Sequence, residues 1–194
     1  ELPASPLSLV AAGSYQNAMS NYCVFCGSRT GIDPAFLALA SDTGASLARA
    51  GHGIVYGGGS AGLMGALADA ALAARGRVTG VIPAFLDDLE LAHGGLTRLE
   101  VVPTMHARKQ RMLELSDVVI ALPGGIGTLD EIVECITWAQ LGLHAKPIWL
   151  IGASAYWAPF VTLIEHFDAH GFAHDGLTAR FRLADRIEDC FAAG

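Results

Sequence analysis

From Tyr22 onward, short apolar or β-branched runs alternate with longer segments whose apolar residues recur at helical spacing. The pattern predicts strands over 22–26, 53–56, 77–82, 99–102, 117–122 and 147–151. It predicts helices over 34–50, 62–74, 105–115, 128–141 and 158–170, with a short one from Asp185. Glycine or proline punctuates almost every junction: Asp33 and Pro34 offer an N-cap followed by proline at the first helical position, and Gly51 falls just past the last turn. The segment 83–98 has no clean period and reads as a loop or short helix at the sheet edge. Strands that alternate with helices require right-handed crossovers and a parallel sheet covered on both faces. The fold class is therefore α/β: a Rossmann-like, doubly wound parallel sheet in three layers.

Composition narrows the picture. A chain of 194 residues, 52% hydrophobic and 16% charged, has material for one sizeable core. We expect one domain over 21–194, preceded by an extension over 1–20 in which Met19 is a candidate native start. Twelve Lys and Arg against 19 Asp and Glu give a formal charge of -7. That balance argues against a broad nucleic-acid or anionic-membrane surface, so an anionic ligand must be held locally. A mean hydropathy of +0.42 raises the question of a membrane span. The uncharged run 147–164 nevertheless contains Pro147, Gly152, Ser154, Pro159 and Thr162, and reads as a buried strand followed by a helix start. The N-terminus lacks a basic region and a continuous apolar stretch, so the expectation is a cytoplasmic protein without a signal peptide.

Two groups of metal-ligand types invite attention and carry little. Cys23 and Cys26 form a C-x-x-C, but within a strand residues three apart point to opposite faces, and neither Cys135 nor Cys190 supplies a second pair. His166, His170 and His174 are spaced by four, yet Gly171 interrupts the helix and no carboxylate completes a zinc signature. No metal and no cofactor are expected.

In doubly wound sheets ligands bind beyond the carboxyl ends of the strands. Three segments there carry candidate chemistry. Gly57, Gly58 and Gly59, with Gly62 opening the next helix, satisfy G-x-G-x-x-G after a strand, a pattern that lets backbone N–H groups approach a phosphate. A dinucleotide site adds an acid about 20 residues on, whereas the next strand ends Gly80-Val81-Ile82-Pro83; the glycines serve equally well for tight packing. The second segment, Pro123-Gly124-Gly125-Ile126-Gly127-Thr128-Leu129-Asp130-Glu131, is again strand, glycine turn and helix. Its amides and the Thr128 hydroxyl would form an anion cradle, although Glu131 one turn in calls for a cation between the charges. The alternative is a capping box of Thr128 and Glu131. In the third segment Met105, Arg108, Met112 and Leu115 share one helix face, which places Arg108 in an apolar stripe. A buried guanidinium needs an anion, either from a ligand or from an internal pair with Glu131 or Glu90, and Lys109 adds a point charge.

Taken with Cys23-Val24-Phe25-Cys26-Gly27-Ser28 and Val55-Tyr56-Gly57-Gly58-Gly59, these segments make the chain resemble the LONELY GUY family of cytokinin-activating phosphoribohydrolases, over 22–194. Members are often labelled lysine decarboxylases, but the only lysines here are Lys109 and Lys146. The resemblance implies hydrolysis of the N-glycosidic bond of an adenine-type nucleoside 5'-monophosphate, a cytokinin riboside 5'-monophosphate or AMP, to base and ribose 5-phosphate. It assigns Arg108 and Glu131 as the catalytic pair. Substrate contacts fall to Lys109, Gly124, Gly125, Ile126, Gly127, Thr128, Leu129 and Asp130, with Gly58 and Gly59 from the other glycine loop and Glu90 and Thr137 by spacing. It also implies a homodimer, consistent with the nearly all-apolar helix that carries Glu131, Cys135, Trp138 and Ala139. A non-catalytic nucleotide-binding module and, with less support, an NAD-dependent oxidoreductase are the rival readings.

Overall fold

The structure, a computed structural model, describes residues 19–87, 91–152, 156–173 and 176–191. The strands are β1 (Asn21–Phe25), β2 (Gly53–Tyr56), β3 (Arg77–Pro83), β4 (Arg98–Val102), β5 (Val118–Ala121), β6 (Ile148–Ile151) and β7 (Arg182–Ala184). They form one sheet in the order β4-β3-β2-β1-β5-β6-β7. Every neighbouring pair is parallel, with Cys23 opposite both Val55 and Val119 at the centre. The principal helices are α1 (Pro34–Arg49), α2 (Gly62–Ala73), α4 (Met105–Glu114), α5 (Ile126–Gln140) and α6 (Ala158–Ala169). Single turns α3 (Ala84–Asp87) and α7 (Glu188–Phe191) complete the set.

Alternation along β1 divides the core. Tyr22, Val24 and Cys26 pack on one face with Leu47 of α1 and Leu63 and Leu67 of α2. Cys23 and Phe25 pack on the other with Met112 of α4, Ile132 and Ile136 of α5, and Phe160 and Ile164 of α6. The two cysteines of the C-x-x-C thus lie on opposite faces, and all four cysteines are free and buried. The α1 start follows its local chemistry: the Asp33 carboxylate accepts from Ala35 N–H at 2.8 Å, with Pro34 at the first helical position.

The sequence pattern misses β7 because three residues with Arg182 at their head give no usable period. Its place comes from pairing, Trp149 opposite Arg182, with the guanidinium 5.3 Å over the Trp149 ring. Close packing of α1 on α2 depends on Gly44, where a Cβ would collide with the Leu67 carbonyl group and stand 3.3 Å from Ala71 N. We predict that Gly44→Ala costs roughly 1–3 kcal/mol by overpacking, because backbone and not a flexible side chain stands in the way. For a chain of this size that lowers Tm by about 3–10 °C, measurable by thermal denaturation, while an unchanged Tm would mean the two helices separate freely.

Candidate functional site

The chain runs outward from β1 to β4 and then returns to place β5 on the other side of β1, so the strand order switches between β1 and β5. At such a switch the loops leaving the two strands diverge and open a crevice at their carboxyl ends. Here the two loops remain tied at their roots: Leu122 N–H donates to Phe25 O at 2.9 Å, and Gly27 N–H to Pro123 O at 3.0 Å. The glycine turn is seated on the same spot. A Cβ at Gly27 would lie 3.3 Å from Gly124 Cα, and one at Gly124 would overlap the Thr128 side chain.

The α5 helix starts at Ile126, two residues earlier than the pattern predicts, with extended Gly125 as its N-cap and no side chain capping it. Thr128 is therefore the third helical residue and not the cap, which removes the capping-box alternative for Thr128 and Glu131. Ile126, Gly127 and Thr128 carry the first-turn N–H groups that a helix leaves without internal acceptors. Gly125, Ile126 and Gly127 are exposed, and Thr128 is buried beneath them. Leu129 turns into the core, while Asp130 is exposed.

Across from this turn, α4 presents Arg108 and Lys109, both buried. Arg108 Nη1 lies 3.4 Å from Glu131 Oε1, and both side chains are about nine-tenths buried. Met105 Sδ stands 3.9 Å from the same Nη1, and the buried Arg108 Nε finds no acceptor. The guanidinium occupies the space that a side chain at Gly57 would fill. Burial pushes the Glu131 carboxyl up to about 7; the neighbouring Arg108 charge pulls it down, Asp130 pushes it further up, and Lys109 opposes that rise.

Lys109, which the resemblance assigns to substrate contact, sits between two carboxylates of α5. Its ammonium is 2.9 Å from both Asp130 and Glu134. Burial works against this charge, but the bonds to Glu134 and Asp130 prevail and hold its pKa above the ordinary value. The triad cross-links α4 to α5 and sets the register in which Arg108 meets Glu131. Glu134 escaped the sequence reading, although acids at 130 and 134 share a helix face by their spacing.

The Gly57–Gly59 loop also serves an end other than an open phosphate cradle. All three glycines are buried, and a strap over 91–93 covers them: Ser60 N–H donates to Leu91 O at 3.1 Å, and His93 N–H to Gly58 O at 2.8 Å. The N–H of Leu63, the second residue of α2, is bonded to Gly27 O at 3.0 Å. Gly57 is thus the wall against which Arg108 lies, with Gly58 and Gly59 buried beside it. Thr137 is exposed on α5 with its hydroxyl bonded to Val133 O at 2.8 Å. Six residues beyond Glu131, it is about 9 Å further along the axis on a different face. Glu90 and His174 lie outside the described residues. No cluster of three metal-ligating side chains occurs among the described residues, where His166 and His170 stack at 4.1 Å.

A glycine-opened helix at the switch point, with a buried acid and guanidinium beside it, is a geometry that can receive a small anionic ligand at a helix start. Comparison with known proteins makes this specific. A family model described as "Possible lysine decarboxylase" matches residues 64–193. A cytokinin riboside 5'-monophosphate phosphoribohydrolase of Rhodococcoides fascians is 46% identical over 171 residues, covering 88% of this chain and 86% of the relative. The rice enzyme LOG is 40% identical, covering 82% of this chain and 66% of the relative. This chain belongs to the LONELY GUY family. The fold is shared more widely: the molybdenum cofactor carrier protein of Chlamydomonas reinhardtii superposes with a TM-score of 0.68 at 22% identity, over 91% of this chain and 96% of that one. A molybdenum cofactor binding protein of Rippkaea orientalis gives 0.67 at 22%, over 90% and 94%.

Proposed function

We propose that this protein hydrolyses the N-glycosidic bond of cytokinin riboside 5'-monophosphates, or of AMP, to the free base and ribose 5-phosphate. The observation that carries the reading is the buried contact of Arg108 with Glu131 at 3.4 Å beside the glycine turn. The names of the relatives support the same reaction. In this mechanism the substrate phosphate lies on the amides of Gly125 to Thr128, with the unpartnered Arg108 Nε as a further donor. Anchoring that end holds the ribose C1' near Glu131. The bond from C1' to the base nitrogen breaks, and a water oxygen bonds to C1'. One water proton goes to the leaving base and the other hydrogen stays on the new hydroxyl. The ribosyl centre is positive in the transition state, and ionised Glu131 stabilises it while orienting the water. Lys109, joined to Asp130 and Glu134, acts by fixing the two helices.

A lysine decarboxylase has less to stand on: the Lys109 ammonium is held by two carboxylates, and that of Lys146 donates to the Ser116 carbonyl. The homodimer belongs to the same proposal, supported by the exposed Ile126 and Val133 of α5 and by Leu141 and Leu143 just beyond it. A cytoplasmic site of action and one domain over 21–194 complete it; no described helix is long and apolar enough to cross a membrane. Chromatography of products after incubation with AMP and N6-isopentenyl-AMP tests the reaction, and binding without release of base would favour a carrier instead. Because the Glu131 carboxyl titrates at about 7 and works ionised, turnover should rise with pH from about 6 to 8. A flat profile across that range would remove Glu131 from the chemical step.

A further inference from the structure

The glycine turn is also held from a side that the reaction leaves unused. Tyr156 stands just ahead of α6, and its hydroxyl accepts a hydrogen bond from Gly124 N–H at 3.2 Å. The same hydroxyl donates a hydrogen bond to the Gly124 carbonyl oxygen. One phenol thus satisfies both main-chain groups of a residue 32 positions away in sequence. Its ring is fixed edge-on between Phe36 at 5.4 Å and Trp157 at 5.3 Å. The Trp157 indole N–H in turn donates to Ile151 O at the end of β6, at 3.2 Å. The hydroxyl therefore rests on a packed aromatic column rooted in the sheet, and has little freedom to follow the loop.

The consequence lies in the peptide unit that joins Gly124 to Gly125. A trans peptide sets its C=O and N–H on opposite sides. Holding the Gly124 carbonyl at Tyr156 therefore aims the Gly125 N–H away from the ring. Two adjacent glycines would otherwise leave that unit the widest rotational freedom in the turn. We propose that Tyr156 is a positioning residue for phosphate binding: its hydroxyl fixes the Gly124 peptide and so preorganises the donors that open α5. The inference rests on the proposed function in placing the substrate phosphate at this turn.

The test is Tyr156→Phe, which keeps the ring and removes only the oxygen. Loss of one preorganising hydroxyl should raise KM for the nucleoside 5'-monophosphate about three- to tenfold, with kcat within about twofold. Dissociation of ribose 5-phosphate, followed by calorimetry, should weaken by the same factor. Cleavage of the unphosphorylated nucleoside should not change. As a control, Phe36→Leu loosens one side of the ring packing but keeps the hydroxyl and its two bonds to Gly124, and should raise KM by clearly less than Tyr156→Phe does. An unchanged KM in Tyr156→Phe, an equal loss on the nucleoside, or the same KM rise in Phe36→Leu would each overturn the proposal. Failure of the wild-type protein to release base from any nucleotide would defeat the proposed reaction instead; ribose 5-phosphate binding would then still decide the role of Tyr156.

Discussion

Glu131→Gln should lower turnover by about two to three orders of magnitude while leaving the protein at least as stable as the wild type. The first half follows from the role of the carboxylate: removing one preorganised charge from beside a developing opposite charge is typically worth about 3–4 kcal/mol of barrier. The second half follows from linkage. The folded state raises the Glu131 carboxyl from 4.5 to about 7, so folding favours its neutral form. Stability that depends on this group is fully present below about 4.5 and is lost as pH rises through about 7. The size of that loss is roughly 3 kcal/mol, and it already includes the attraction of Arg108. Glutamine is neutral at every pH and carries no such loss. The wild type and Glu131→Gln should therefore have similar Tm values near pH 4.5, and the variant should be equal or higher at pH 8. Turnover and thermal denaturation measured on the same preparations decide the matter. Full activity in the variant, or collapse of its fold at pH 8, would show that Glu131 serves the helix and not the reaction.

How far the sequence reached is clearest at Arg108. Its place in a stripe with Met105, Met112 and Leu115 implies burial and the need for an anion, and Glu131 is one of the two acids the pattern offers it. Side-chain period is strong where a helix lies against a sheet, so α4 and its charged residue were legible together. The start of α5 was not, because Gly125 caps it without a side chain and leaves Thr128 and Glu131 to mimic a capping box one turn late. Period also says nothing of contacts between distant segments. The strap over 91–93 that uses the Gly58 carbonyl, the hold of Tyr156 on Gly124, and the pairing of β7 with β6 all depend on tertiary placement. The glycine motif of 57–62 shows the same limit: its spacing suggests a phosphate loop, but not that Gly57, Gly58 and Gly59 are buried with Gly57 against Arg108.

Gly57→Ala should abolish most activity at little cost to the fold, which separates the position of Arg108 from its mere presence. A Cβ at residue 57 would fall on the Arg108 terminal nitrogen, 2.9 Å from Cζ and 3.2 Å from Met64 Sδ. These obstacles are the ends of two flexible side chains, so the backbone need not move. Gly57 is also absent from the glycines with positive φ, and alanine can take its conformation without strain. Gly58, by contrast, has a φ of 77°, and a Cβ there would lie 3.3 Å from Ile82 Cβ, so the same change strains the main chain. In Gly57→Ala the guanidinium must swing from its place beside Glu131, and catalysis should fall by about a hundredfold in kcat/KM, close to the effect of Arg108→Ala. The Tm should drop by no more than a few degrees, as expected for about 1 kcal/mol in a chain of this size. Gly58→Ala should show the reverse balance, a lower Tm with smaller loss of activity in the folded fraction. Measuring kcat/KM and Tm for the three variants side by side tests the claim, and a fully active Gly57→Ala protein would mean that the 3.4 Å contact of Arg108 with Glu131 is not what the reaction uses.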